Sequence, residues 1–251
     1  MKKQTSQTPE HHDIITFSHL RWEFVTQRPQ HILKRMSRDR KILFVEEPIS
    51  FTELEHGTAH EIHVSKNITV IQPRISFEEI PTKLSKIVKK YARQMGMEEP
   101  DLWFYTPSFI EMADQVPHSK IIYDCMDELS GFRFAPPSLK ENEARLFNLA
   151  DIVFTGGNHL YNAKKSQHNN IHPLPSSIDK EHFLQARTHV QDPTDQACIP
   201  YPRIGFYGVV DERFDVQLLN EIATLKPCWN FVILGPVVKI DPATLPKKSN
   251  I

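Results

Sequence analysis

Apolar residues come in short continuous runs, and between the runs the spacing turns helical. Ile14-Ile15-Thr16-Phe17 is the first run. Such a run without polar alternation predicts a strand buried on both faces. From Gln30 to Met36 the apolar residues fall at 32, 33 and 36, which is helical spacing. Lys41-Ile42-Leu43-Phe44-Val45 predicts a second strand, closed by Glu46-Glu47-Pro48. Residues 61–72, EIHVSKNITVIQ, predict a hairpin around Lys66-Asn67. The clearest helix lies over residues 81–95, with Leu84, Ile87, Val88, Tyr91 and Met95 on one face.

The alternation continues beyond it. Leu102-Trp103-Phe104-Tyr105 and Lys120-Ile121-Ile122-Tyr123 predict a third and a fourth strand, and Thr106-Pro107 opens a helix between them. Residues 138–150 predict a helix and 151–155 a fifth strand, followed by Gly156-Gly157-Asn158 and another helix. Ile171-His172-Pro173-Leu174-Pro175 reads as a short extended piece. Residues 1–12 are polar and read as a frayed tail, so a first domain is expected over 13–186. Residues 187–202 hold three prolines and few apolar side chains and read as a linker. The pattern then restarts: strand 203–208, helix 215–225 and strand 229–234, the expected opening of a second domain over 203–251.

Strands separated by helices predict an α/β fold on a parallel sheet. Ligands in such sheets sit outside the carboxyl ends of the strands. The segments to search are therefore 18–30, 46–52, 106–109, 124–134, 155–158, 208–215 and 235–238.

Composition narrows the function. Lys+Arg 30 against Asp+Glu 31 leaves a net charge of −1, without the positive surplus of a nucleic-acid binder. Glycine is only 8 of 251 residues, which speaks against several glycine-rich phosphate loops. The three cysteines, Cys125, Cys198 and Cys228, form no CxxC and fit a reducing compartment. The longest near-apolar run, 231–238, is far short of the roughly twenty residues of a membrane span. The N-terminal lysines precede no apolar core. The expected location is the cytoplasm.

The segments after the strands carry the unusual residues. In SHLRWEFVTQRPQ, residues 18–30, Arg28 can fork onto a phosphate or carboxylate and Trp22 can stack on a sugar. The plain alternative is a helix start with Trp22 as core filler. In YDCMDE, residues 123–128, three carboxylates crowd together. They suit acid–base work or a divalent cation, or else one caps the next segment while the rest are solvated. Cys125 has no basic neighbour in sequence to make it a nucleophile. Thr155-Gly156-Gly157-Asn158 either offers free N–H groups to an anion or simply makes a turn. In GFYGVVDER, residues 205–213, Gly208 allows close backbone approach and Arg213 lies where a diphosphate could be gripped, although the spacing is no dinucleotide fingerprint. His56, His60 and His63 lack zinc-site spacing.

Together these stretches carry a resemblance. QRPQHIL at 27–33 after Trp22, YDCMDELSGF at 123–132, ADIVFTGGNHLYNAKK at 150–165, LPSSIDKEHF at 174–183, IGFYGVVDERFDVQLL at 204–219 and WNFVILGPV at 229–237 cover about 20–240. In order and spacing they resemble GT-B-fold glycosyltransferases, in particular the family four-like bacterial group that builds surface polysaccharides and teichuronic-acid-type polymers. The resemblance implies a Rossmann-like parallel sheet as the GT-B N-terminal domain, plus the first βαβ unit of a second Rossmann-like domain across a cleft. It implies sugar transfer from a nucleotide-sugar donor to a glycan or lipid-linked acceptor, with retention and without a metal or other cofactor. Carried over by residue, Gly208 and Arg213 would hold the donor diphosphate, Asp124 and Asp127 would lie near the reacting sugar, and Trp22 and Arg28 would shape the acceptor entrance.

Two departures stand out. SHLRWEF replaces the glycine pair common after the first strand of such enzymes, and the later acidic motif that holds donor sugar and ribose does not occur. The sequence therefore leads us to expect a truncated second domain and no transfer by these 251 residues alone. A non-catalytic binding module derived from such an enzyme stays open. A nucleotide-sugar epimerase would want acidic and histidine residues spread over both domains, and no motif matches one. Finally, Lys83, Lys86, Lys89, Lys90 and Arg93 share helix 81–95 with no acidic residue from 82 to 97. Such a helix suits a peripheral contact with an anionic membrane, at about 1 kcal/mol per basic residue near the surface, or else packs with a solvated basic face.

Overall fold

A computed structural model describes residues 11–132, 135–188 and 191–251. The expected tail thus lies outside the described residues up to residue 10, as do residues 133–134 of one candidate loop and 189–190 of the expected linker. The chain divides into two compact units, Met1–Asp179 and Lys180–Ile251.

The first unit is an eight-stranded sheet in the order β3-β4-β2-β1-β5-β6-β7-β8. Its strands are β1 (Ile14–Ser18), β2 (Ile42–Glu46), β3 (Thr58–Ser65), β4 (Ile68–Arg74), β5 (Asp101–Phe104), β6 (Ile121–Cys125), β7 (Ile152–Thr155) and β8 (Ile171–Pro173). All pairs are parallel except β3 with β4, the hairpin expected around Lys66-Asn67. The sheet is wider than the sequence pattern indicates. β4 joins it beside β2, and the extended piece at 171–173 pairs with β7 as its last strand.

Helices α1 (Arg28–Met36), α2 (Ser85–Gln94), α3 (Met112–Gln115), α4 (Leu139–Leu149) and α5 (Asn158–Lys164) connect the strands, and a π-helical turn, Ile80–Leu84, leads into α2. Side chains alternate between two apolar layers. Ile15, Phe17, Leu43, Val45, Leu102 and Phe104 meet Leu84, Ile87, Val88 and Tyr91 on one face. Ile14, Phe44, Trp103, Tyr105 and Ile122 meet Leu33 on the other. The apolar face of α2 is thus committed to the core, where burying each large side chain is worth about 1.5–3 kcal/mol. The helix thus packs by its apolar face and leaves the basic residues Lys86, Lys90 and Arg93 exposed.

Chain order in the sheet reverses between β1 and β5, because β2 and β4 follow on one side of β1 and β5 to β8 on the other. In open α/β sheets the crevice at such a switch point is where ligands bind.

The second unit holds α6 (Lys180–Leu184), β9 (Arg203–Tyr207), α7 (Val216–Leu225) and β10 (Asn230–Leu234). β9 and β10 form a two-stranded parallel sheet. Leu219 and Ala223 of α7 pack against Phe231. The sequence pattern predicts two fully buried strands, yet Ile204, Tyr207 and Leu234 are exposed. One helix packs on this small sheet, and it buries Phe231 and partly covers Ile233.

Candidate functional site

The site grows from the loop after β1. Ser18 Oγ accepts from the Leu20 amide at 3.0 Å and turns the chain. The buried Glu46 at the end of β2 then anchors the loop, accepting from the Trp22 amide at 2.7 Å and from Arg21 at 3.1 Å. Gln30 closes it from the first turn of α1, donating to the carbonyls of Trp22 and Val25, both at 3.0 Å. Its own carbonyl accepts from the Gln27 amide at 3.0 Å. Pro29 fits here because the first turn of a helix needs no N–H at that position.

Trp22 therefore has a different place from the one expected. The residue is 7% exposed, and its ring packs edge-on to Phe44 with centroids 5.0 Å apart. It is core, and it offers a sugar no open face.

Arg28 is buried too. Its Nε donates to Asp124 Oδ2 at 2.9 Å, and Nη2 stands 2.9 Å from Oδ1 as an ion pair outside hydrogen-bond angles. Nη1 donates to the Leu174 carbonyl. One guanidinium thus ties α1, β6 and the segment after β8 together. The Tyr105 hydroxyl and Trp103 indole N–H lie beside Asp124, buried and without a closed hydrogen bond. Burial pushes the Asp124 carboxyl above its ordinary range, and Arg28 opposes the shift. A buried carboxylate held by two guanidinium nitrogens is not a free acid or base. The structure thus corrects the expectation of a catalytic Asp124: this residue holds Arg28.

Asp127 is exposed, past the end of β6. Its charge acts on His19, a half-buried residue after β1 whose Nδ1 is buried without a partner. Burial lowers the His19 pKa below 6.5, and the Asp127 charge opposes it. His19 follows β1 and Asp127 follows β6, so both lie past the carboxyl ends of their strands, and the charge of the second reaches the first.

The lowered pKa has a measurable sign. Unfolded His19 binds a proton at a higher pH than folded His19, so stability falls as pH drops from 6.5 toward the depressed value. His19→Asn should flatten that part of the unfolding free energy against pH. An unchanged slope below 6.5 would assign it to other groups.

Glu128 leaves the acidic cluster in a third direction. It pairs at 2.9 Å with Lys164, which also meets Glu143 at 2.8 Å. The three carboxylates that crowd in sequence are therefore dispersed, and no group of three or more metal-ligating side chains occurs among the described residues. Cys125 lies under this network, and burial pushes its thiol up to about 12. We predict that iodoacetamide labels the exposed Cys198 and Cys228 of the native protein and spares Cys125 until unfolding. Mass spectrometry reads the sites, and labelling of all three at equal rates would refute a closed core here.

Gly156 has a reason beyond its turn. A Cβ there would fall on the Met126 carbonyl oxygen, so only glycine lets the loops after β6 and β7 touch. Its amide donates to the Cys125 carbonyl at 2.9 Å and is not open to an anion. A cavity of about 350 Å³ lies between α1 and residues 174–178, with Arg28, His31, Arg35, Ser176 and Ser177 in its wall.

In the second unit Gly208 has φ 151°, a conformation that favours glycine. Close approach belongs instead to Gly235, where a Cβ would overlap the Gly208 carbonyl. Arg213 is forked onto the buried Asp211, with Nε 3.0 Å from Oδ1 and Nη2 2.7 Å from Oδ2. Its side chain is nonetheless 67% exposed. Both residues border a cavity of about 540 Å³ walled largely by Phe206, Phe214, Leu218 and Leu219. The interior of that cavity is apolar, so a diphosphate could meet only its Arg213 rim.

No known family profile matches the sequence. The fold is that of GT-B glycosyltransferases, and the comparisons below place it there. The chain is 24% identical over 148 residues to TuaH of Bacillus subtilis (strain 168), named as a teichuronic acid biosynthesis glycosyltransferase. That match spans 54% of this chain and 37% of TuaH. A trehalose-6-phosphate structure from E. coli bound with UDP-2-fluoro glucose has a TM-score of 0.58 at 10% identity, covering 90% of this chain and 65% of that one. The catalytic domain of starch synthase IV from Arabidopsis thaliana, bound to ADP and acarbose, has a TM-score of 0.54 at 9% identity, covering 93% and 69%. The chain thus spans about two thirds of the length of these structures and a smaller share of TuaH.

His19, Gln30, Glu46, Lys164 and Gly235 escape the sequence reading. His19 had a signal, a histidine directly after a buried strand. The partners of the other four lie elsewhere in the chain, and residue types alone do not reveal them.

Proposed function

We infer that this chain serves a glycosyltransferase that moves a sugar from a nucleotide-sugar donor to a glycan or lipid-linked acceptor in bacterial surface polysaccharide synthesis. The observation that carries this reading is the buried Arg28–Asp124 fork, which ties α1, β6 and the segment after β8 together beside a cavity at the carboxyl ends of a GT-B-type sheet. The relative named for teichuronic acid synthesis supports the polysaccharide role. The UDP-sugar and ADP bound by the structural relatives support a nucleotide-sugar donor.

In this reading the first unit takes the acceptor, and the Arg28-walled cavity is its seat. Asp127 faces the reacting sugar, where a carboxylate stabilises the positive charge that develops on the ring. Asp124 acts through Arg28, which holds the 174–178 segment in place. The second unit takes the donor. Arg213 and backbone groups after Gly208 offset the diphosphate charge without a metal, and transfer proceeds with retention. The protein works in the cytoplasm. Its Lys86, Lys89, Lys90 and Arg93 give it a peripheral contact with an anionic membrane, while Lys83 is already paired with Glu79. No helix among the described residues is long and apolar enough to cross a membrane.

The test is sugar release and transfer from a panel of nucleoside-diphosphate sugars, by the longest natural chain that contains this sequence. We expect at least one donor to be consumed, and Asp127→Asn to reduce that by about 10²-fold. No donor binding and no turnover across the panel would sink the enzyme reading and leave the binding module.

A further inference from the structure

The largest cavity among those described lies at the other end of the first sheet. It measures about 650 Å³ and opens beneath α2, beside the segments that lead into β5 and β6. Those are the amino ends of the strands, whereas His19, Arg28 and Asp127 gather at the carboxyl ends. The cavity has two kinds of wall. Ala92, Met97 and Val116 make an apolar floor, all of them buried. Lys86, Lys89 and Arg93 stand on the helix around its mouth, and Glu99 is the one acid that borders it.

The three cations have few other commitments. Among the described residues, Lys86 and Lys89 make no ion pair, and Arg93 donates only to the Lys89 carbonyl at 3.1 Å. Helix α2 contributes no acidic residue to neutralise them. In a chain of net charge −1 this is a local excess of positive charge, and it sits over apolar walls. A simple anion would use the mouth and leave the floor idle. A neutral apolar ligand would use the floor and ignore the charge.

We propose that this cavity binds an anionic lipid, with the phosphate head on Lys86, Lys89 and Arg93 and an acyl chain on the Ala92–Met97–Val116 floor. This goes beyond sugar transfer, since the cavity shares no residue with that site. It also gives the basic face of α2 a defined ligand in place of a diffuse attraction to a charged surface. Apolar contact and charge then act together at a single site, and salt weakens only the charged part.

Calorimetry on the full chain tests it, with dodecyl phosphate below its micelle threshold as the probe. We expect saturable binding of one molecule per chain. Inorganic phosphate should bind at least 100-fold more weakly and dodecyl maltoside at least tenfold more weakly. K86E/K89E/R93E should weaken dodecyl phosphate binding tenfold or more. Ala92→Leu, which fills the floor, should weaken it at least threefold and leave inorganic phosphate unchanged. Thermal melting checks the fold of each variant, and if the variants unfold, the ratios among the three ligands still decide. Inorganic phosphate binding as tightly as dodecyl phosphate would overturn the proposal in favour of a bare anion contact. So would pelleting with phosphatidylglycerol vesicles without one-to-one binding of dodecyl phosphate, because the helix would then only adsorb through its charge. None of these readouts depends on sugar transfer, so the two proposals can fail separately.

Discussion

Arg28→Ala should cost about 3–5 kcal/mol of unfolding free energy, the range for removing one partner of a buried ion pair. The side chains of Arg28 and Asp124 are 3% and 0% exposed. Without the guanidinium, the Asp124 carboxylate stays buried near Trp103 and Tyr105, and the Leu174 carbonyl loses its donor. The variant has a pH signature. Burial already raises the Asp124 pKa, and losing Arg28 raises it further. The folded variant then binds a proton that the unfolded chain binds only near 3.8, so its deficit should shrink as pH falls from 7 toward 4. Arg28→Met with Asp124→Leu should recover most of the loss, because an apolar pair of similar volume needs no compensation. Urea unfolding followed by the fluorescence of Trp22 and Trp103 measures all three variants. A single-variant loss below about 1 kcal/mol would mean that water reaches the pair and screens it.

The second large effect concerns Arg213. If this residue offsets charge on a leaving diphosphate, Arg213→Ala should lower turnover by about 10²-fold or more, roughly 2.7 kcal/mol of transition-state stabilisation. The structure supplies a competing account, since Arg213 is forked onto Asp211 in the same loop. The two accounts differ in Arg213→Lys. A lysine keeps the charge but cannot fork, so a diphosphate role requiring two parallel contacts should remain impaired. A purely local pair with Asp211 should tolerate either change, with turnover within about threefold of the parent, as for an exposed ion pair. Turnover and donor affinity measured side by side separate them. Loss of affinity alone would indicate ground-state binding without a part in the chemistry.

The architecture was legible where one short window contains the cause. Strands β1, β2, β5, β6 and β7 announce themselves because a strand buried on both faces reads as a near-continuous apolar run, and α2 because its core face repeats every turn. β8 was legible only as an extended piece, since three residues carry no period and pairing with β7 makes them a strand. The anchoring roles of Gln30 and Glu46 belong to the same class. A polar residue at a helix start or strand end reads as solvated until the chain folds over it.

By itself, the sequence determined the α/β class and the order of strands and helices that build the parallel sheet, because periodicity is a local property of the chain. Only the tertiary structure decided what each candidate residue does there. Asp124 and Asp127 are three residues apart and look alike in sequence. Folding buries the first against Arg28, 96 residues away, and leaves the second exposed, with its charge acting on His19. Trp22 becomes core because Phe44 arrives from β2. Burial and partner charge set protonation and accessibility, and both depend on contacts that only the assembled sheet creates.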